Sequence, residues 1–208
     1  MVEVTWVVFI AASLLLIATP GQDMVLVMSR SIAQGPVAGV VTAAGVSVGL
    51  IGHTVLATLG LGALLRASEW LFLAFRLVGA AYLVYIGVQL LRTRQSELAI
   101  SAGAPRSLRR LFADGALSNL SNPKIAVFYF AFLPQFVLPG AVHPTLAVFV
   151  LGLVFAGLTF LVKGPVGLAA GVLSAWLRAH PGTLVWVFRT SGAVLVGLGV
   201  KLALERRP

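Results

Sequence analysis

From position 37 to position 65 the chain carries no formally charged residue. A helix needs only about 20 apolar residues to cross the hydrocarbon core of a bilayer. A water-soluble fold would have to bury such a run completely, and this sequence lacks the polar surface to do so. Only 10% of its residues are charged and 59% are hydrophobic, with a mean hydropathy of +1.02. Soluble domains carry about 25% charged residues. The chain therefore reads as an all-α integral membrane protein whose spans follow one another along a single membrane domain, residues 1–208.

Charge supports that class. The net charge of +9 comes from 15 Lys and Arg against 6 Asp and Glu. These bases cluster at the ends of apolar runs, where they anchor and orient helices against anionic lipid. The expected surroundings are a lipid bilayer, with no nucleic-acid partner. The absence of cysteine excludes disulfides and thiolate chemistry. The first apolar run has Glu3 where a secretory signal would carry positive charge. It ends in Ala18-Thr19-Pro20, a poor cleavage site, and so reads as a retained first helix.

Six spans are expected: 4–19 continuing as 22–34, then 37–65, 71–91, 111–137 interrupted at Asn122-Pro123, 145–177 interrupted at Lys163-Gly164-Pro165, and 184–204. Between the third and fourth lies "RTRQSELAISAGAPRSLRR", about 92–110, with five Arg and one Glu. A linker of that charge belongs in the cytoplasm. Three spans then lie on each side of it, about 1–92 and 111–208. "FRLVGAA" at 75–81 and "FRTSGAV" at 188–194 share Phe, Arg, Gly and Ala at equal spacing, with Arg76 matching Arg189. The helix breaks at Thr19-Pro20-Gly21 and Asn122-Pro123-Lys124 hold corresponding places in the two halves. Three-span halves on either side of one cytoplasmic linker have opposite orientations. The expectation is two inverted three-helix repeats with broken first helices, an architecture common in secondary transporters.

The breaks are where chemistry is expected. Pro20 removes a backbone donor, and non-helical backbone at membrane depth persists only where it lines a cavity or is buried in protein. Asp23 then falls in the first turn of the restarting helix, at its positive end. An intramembrane carboxylate is a functional candidate by default. The plain structural alternative makes it a helix-terminal group paired with Arg30. In the second half, Asn119 and Asn122 share a helix face, and Lys124 follows the break. Amides there bind either a zwitterion or the broken backbone, and Lys124 either meets a carboxylate or reaches the interface. Gln135, behind Pro134, is a weaker candidate.

His53 lies mid-span and reads either as a proton relay or as an interhelical hydrogen bond. Gly35/Gly39, Gly45/Gly49 and Gly167/Gly171 have the spacing that lets helices approach closely, and such faces also admit a homodimer. No metal-ligand spacing, catalytic constellation or cofactor motif occurs. A membrane enzyme, an assembly scaffold and a small-solute channel remain as alternatives to a transporter.

Two stretches carry a family likeness. "ATPGQDMVLVMSRSIAQGPVAGVVTAAGVSVGLIGHTVLATLGL" and "LSNLSNPKIAVFYFAFLPQFV" resemble the motif regions of the LysE/RhtB superfamily of amino-acid exporters, of the homoserine/threonine translocator kind. Pro20 and Gly21 match the first motif, where Gln22 replaces a second proline; Asn122, Pro123 and Lys124 match the second. The resemblance implies a multi-pass bacterial inner-membrane exporter of amino acids or close derivatives, driven by the proton gradient. On that expectation Pro20, Gly21, Gln22, Asp23, Asn119, Asn122, Pro123 and Lys124 form the site for a small zwitterionic substrate. Asp23 and His53 are then the candidates for proton coupling.

Overall fold

The computed structural model describes residues 4–67, 69–92, 106–138 and 140–204, and all the regular structure in them is helical. The helices are α1 (Trp6–Ala18), α2 (Gln22–Gln34), α3 (Pro36–Ala67), α4 (Glu69–Arg92), α5 (Leu108–Leu120), α6 (Pro123–Phe132), α7 (Pro144–Leu168), α8 (Ala170–Ala179) and α9 (Pro181–Leu204). A 3₁₀ turn, Leu133–Phe136, extends α6. Most of the linker expected at 92–110 lies outside the described residues.

Three stretches are long and apolar enough to span a bilayer by themselves: Pro36–Gly60, Pro144–Leu168 and Val185–Leu204. Helices α1 and α2 qualify as a pair, bent by 53° at their junction. Two further apolar helical stretches, Leu77–Arg92 and Ile125–Phe136, are shorter. An integral membrane protein is the result, with three to four spans meeting the length criterion among the described residues where the sequence suggested six.

One expected break is misplaced. The fifth apolar run is not interrupted at Lys163-Gly164-Pro165. Helix α7 passes through Pro165 and ends at Leu168, with the Ala169 N–H closing it onto the Pro165 carbonyl at 3.0 Å. Proline inside a helix withdraws one donor, which a packed membrane helix tolerates. Lys163, two residues before the proline, stays helical and buried.

Two of the packing systems that hold the bundle set the position of the helix breaks. An aromatic cluster locks α1 to α6 and α7. Phe132 stands 4.8 Å from Phe136 and 6.0 Å from Phe155 between ring centroids, and Phe9 stands 5.2 Å from Phe136. The entry to α1 is tied to the same place, since the Thr5 N–H donates to the Phe136 carbonyl at 2.9 Å and Val4 bridges Val137. The second system is glycine-mediated contact of α3 with α5 and α7. A Cβ on Gly45 would lie 2.1 Å from the Phe112 carbonyl oxygen, and one on Gly115 would lie 2.4 Å from that of Thr42. Gly39 and Gly167 face one another in the same way, at 2.8 Å. Gly49 opposes the Asn119 Cβ at 2.8 Å and so sets how deeply Asn119 sits.

Gly35 and Gly171 differ from the other expected packing glycines. Gly35 ends α2 with φ +92°, a left-handed conformation that a side chain disfavours, and its need for glycine is conformational. At Gly171 a Cβ would meet no described atom within 4 Å.

At one end of the bundle Asp114 of α5 gathers three arginines. Arg110 lies at 3.1 Å, Arg30 of α2 at 3.8 Å, and Arg106 is in direct contact. The sequence alternative that paired Arg30 with Asp23 is therefore replaced: Arg30 serves α5, and Asp23 turns the other way.

Because the obstacle at Gly45 is backbone and cannot rotate aside, Gly45→Ala is expected to overpack the α3–α5 contact and cost about 1–3 kcal/mol. Gly171→Ala is expected to change stability by less than about 0.5 kcal/mol. Thermal unfolding of the two variants in one detergent checks the difference.

Candidate functional site

The break between α1 and α2 is built locally. Thr19 leaves the helix with ψ 120°, Pro20 follows, and Gly21 is extended at φ −130°, ψ −170°. The carbonyls orphaned at the end of α1 find partners nearby. The Thr19 N–H donates to the Leu16 carbonyl at 3.1 Å, and Thr19 Oγ1 donates to that of Leu15 at 3.0 Å. Ser191 of α9 touches both Thr19 Oγ1 and the Leu15 carbonyl, tying the break to the last helix. Helix α2 then starts with Gln22, and Asp23 sits in its first turn. A carboxylate there is stabilised by the unpaired N–H groups of that turn, by about 0.3–1 kcal/mol.

The second break lies opposite the first. Asn119, near the end of α5, is completely buried, and its Nδ2 donates to Asp23 Oδ2 at 2.9 Å. Asn122, between α5 and α6, donates from Nδ2 to Gln22 Oε1 at 3.3 Å. Two side-chain hydrogen bonds therefore join the breaks of the two halves, residue for residue: Asn119 to Asp23 and Asn122 to Gln22. Residues separated by about half the chain meet at one point.

A residue the sequence reading treated only as a helix interruption completes the group. Lys163 reaches in from α7, and its Nζ lies 3.3 Å from Asp23 Oδ2. Both side chains are nearly enclosed, at 10% and 9% exposure. An available signal was overlooked: a lysine inside an apolar run carries the same functional presumption as an aspartate there. Asp23 Oδ1 meets no hydrogen-bond donor among the described residues.

His53 stands behind Asn119. Its Nε2–H donates to the Asn119 backbone carbonyl at 3.0 Å, while Nδ1 has no partner among the described residues. The carbonyl can only accept, so the proton is assigned to Nε2. The histidine thus supports the asparagine that supports the carboxylate.

A cavity of about 250 Å³ opens beside this group. Thr19, Gly21, Gln22, Asp23, Asn122 and Lys163 form its polar end, and apart from Thr159 the rest is aliphatic and aromatic. Several predicted residues take no part in what is described. The Gln135 Nε2 donates one turn back to the Ala131 carbonyl at 2.8 Å. Arg189 is exposed. Pro20 shapes the break without lining the cavity. The side chains of Pro123, Lys124 and Arg76 lie outside the described residues.

Against known proteins, a family model described as LysE type translocator matches residues 14–206. An uncharacterized membrane protein of Pseudomonas aeruginosa is 32% identical over 200 residues, covering 94% of this chain and 93% of its own. A homoserine/homoserine lactone efflux protein of Salmonella typhimurium is 31% identical over 202 residues, 97% of both chains. A leucine efflux protein of Klebsiella pneumoniae is 26% identical over 201 residues, covering 95% of this chain and 94% of its own. No solved structure gives a significant match.

Removing one member of a buried ion pair leaves the other uncompensated, at a cost of about 3–5 kcal/mol. Lys163→Met is expected to destabilise the fold by that order, and Asp23→Asn with Lys163→Met together by clearly less than the single lysine change. A double-mutant cycle on unfolding in mild detergent measures the coupling, and simple additivity would show that the pair is not the contact described.

Proposed function

Because the chain belongs to the LysE-type translocator family, we propose that it exports amino acids or close derivatives by proton antiport, through the cavity between the two broken helices. Family membership makes it a transporter and not an enzyme, and sets the scaffold reading aside. Relatives named for homoserine and leucine efflux support a small amino-acid substrate. The observation that carries the site assignment is the convergence of Gln22 and Asp23 from one break with Asn122 from the other on a single cavity, with Asn119 buried behind it and hydrogen-bonded to Asp23.

In this reading Pro20 and Gly21 unwind the first helix so that Asp23 can face the cavity, and Asn122-Pro123 does the same for the second half. Asp23 is the group that changes partner or protonation during transport, held meanwhile by Asn119. His53 tunes that hold through the Asn119 carbonyl and is the candidate relay. Six spans in two inverted repeats accommodate the packing of α3 on α7 and of α4 on α9, each a contact between corresponding elements of the two halves. The same reading puts the protein in a bacterial inner membrane with the arginine-rich linker in the cytoplasm. The glycine faces used between α3, α5 and α7 are spent within one chain, so a homodimer would use other surfaces.

The test is flux. Purified protein in liposomes loaded with the twenty amino acids is expected to release a small subset, faster when a pH gradient is imposed. Asp23→Asn is expected to reduce the gradient-dependent part by at least ten-fold. Undiminished proton-coupled export by that variant would remove Asp23 from the coupling role, and no efflux of any amino acid from folded protein would overturn the proposal.

A further inference from the structure

Resting on the exporter reading above, we propose that Lys163 is the carboxylate-binding residue of the transport site, and that the Asp23–Lys163 pair selects neutral α-amino acids with aliphatic side chains over basic and acidic ones. The argument begins with charge. Asp23 and Lys163 are the only formal charges among the described residues that line the cavity, and they neutralise one another at 3.3 Å. A site of low polarity holds such a pair because each ion compensates the other. Any solute that enters must leave the balance intact.

A zwitterion does so by exchange. Its ammonium replaces the Lys163 ammonium beside Asp23, and its carboxylate accepts from Lys163 Nζ, so both buried ions keep a counter-charge. Asp23 Oδ1, which is buried and has no described donor, is the acceptor that the incoming ammonium takes up once Lys163 moves aside. Asn119 keeps its hydrogen bond to Oδ2 throughout and holds the carboxylate still.

The start of a broken helix often receives the substrate carboxylate itself. Here Asp23 already stands in the first turn of α2, so that end of the cavity is negative and repels a second carboxylate. Lys163, arriving from α7, is the one cation described on the cavity wall, and the carboxylate goes to it. Sequence spacing hides this partner, because 140 residues separate the two.

The remainder of the cavity decides the side chain. Leu16, Leu50, Ile86, Leu90, Ile125 and Phe155 are among its walls, and no second carboxylate is described there. A lysine side chain would bring an ammonium with nothing to pair it, and a glutamate side chain would bring a second anion; each carries a burial cost that the aliphatic wall does not offset. The volume, about 250 Å³, falls just below the range of about 300–1,000 Å³ typical of drug-sized pockets and suits a single amino acid.

The experiment compares binding and flux on the intact protein. Thermal-shift titrations in detergent use L-leucine, L-leucinamide, which lacks the carboxylate, 4-methylpentanoate, which lacks the ammonium, L-lysine and L-glutamate. Efflux of leucine, lysine and glutamate from liposomes runs in parallel. Leucine is expected to bind at least ten-fold more tightly than each of the other four and to be exported in preference to lysine and glutamate. In Lys163→Arg, which keeps the charge, leucine is expected to retain its advantage over leucinamide; in Lys163→Met that advantage is expected to vanish. Export that favours lysine or glutamate would overturn the selectivity while leaving the exporter reading standing. Leucinamide binding as tightly as leucine to the unaltered protein would remove Lys163 from carboxylate recognition. If no amino acid moves at all, the exporter reading fails first, and this inference falls with it.

Discussion

Asp23 is a carboxylate that the fold cannot leave alone. At the start of α2 it lies within an apolar bundle, where an unpaired ion is too costly to persist. Much of the surrounding architecture can be read as compensation. Helix α7 runs unbroken past Pro165 and so delivers Lys163 to the carboxylate. Gly49 removes a side chain from α3 so that α5 can approach and Asn119 can reach Asp23. Gly39 and Gly167 let α3 and α7 touch at backbone distance about one turn beyond Lys163, and Ser31 of α2 donates to the Gly167 carbonyl. Helices α2, α3, α5 and α7 therefore meet where they do because one charge needs its partners.

The second cluster of charge obeys different rules. Asp114 faces three arginines, of which Arg110 and Arg106 are well exposed. There water shares the work, and each contact is worth little individually. Its effect is geometric, since Arg30 and the Gln34 side chain, which pairs twice with the Arg106 backbone, hold the far end of α2 against α5. Helix α2 is thus pinned at both ends to α5, by Asn119 near its start and by Asp114 near its finish. Movement at the α1–α2 break must then involve α5 as well, a physical route by which the two halves would act together.

How much of this was legible in the sequence follows from which forces are local. The membrane class, the breaks at Pro20 and Asn122 and the candidacy of Asp23 come from composition, proline chemistry and the cost of a charge in lipid. Each is decided within a few residues. The pairing of Asn119 with Asp23 and of Asn122 with Gln22 is not local, and the sequence supplied the members without the contacts. Lys163 escaped because it sits beside Gly164-Pro165, and proline rules read alone place a break there; packing overrode them and kept the turn helical. Gly35 was grouped with the packing glycines because its spacing to Gly39 fits, yet its role is set by a positive φ that spacing cannot reveal. Arg30 was a plausible partner for Asp23 along one helix until α5 brought Asp114 closer.

The self-neutralised pair also bears on how an exporter of the proposed kind avoids a leak. In proton antiport the carrier must return with a proton bound, since free return of the empty carrier would uncouple export from the gradient. With Asp23 and Lys163 closed on each other, the empty site carries no net formal charge among its described lining residues, and the ion pair bridges α2 and α7. Such a contact resists reorientation of the empty carrier, because separating the two ions leaves each uncompensated. A zwitterion would release the contact by giving each ion a new counter-charge. A proton on Asp23 would release it by removing the charge that holds Lys163, and the bundle would then favour whichever arrangement lets water reach the lysine. Proton coupling would thus arise from the same two side chains that recognise the substrate, since both ligands act on one lock.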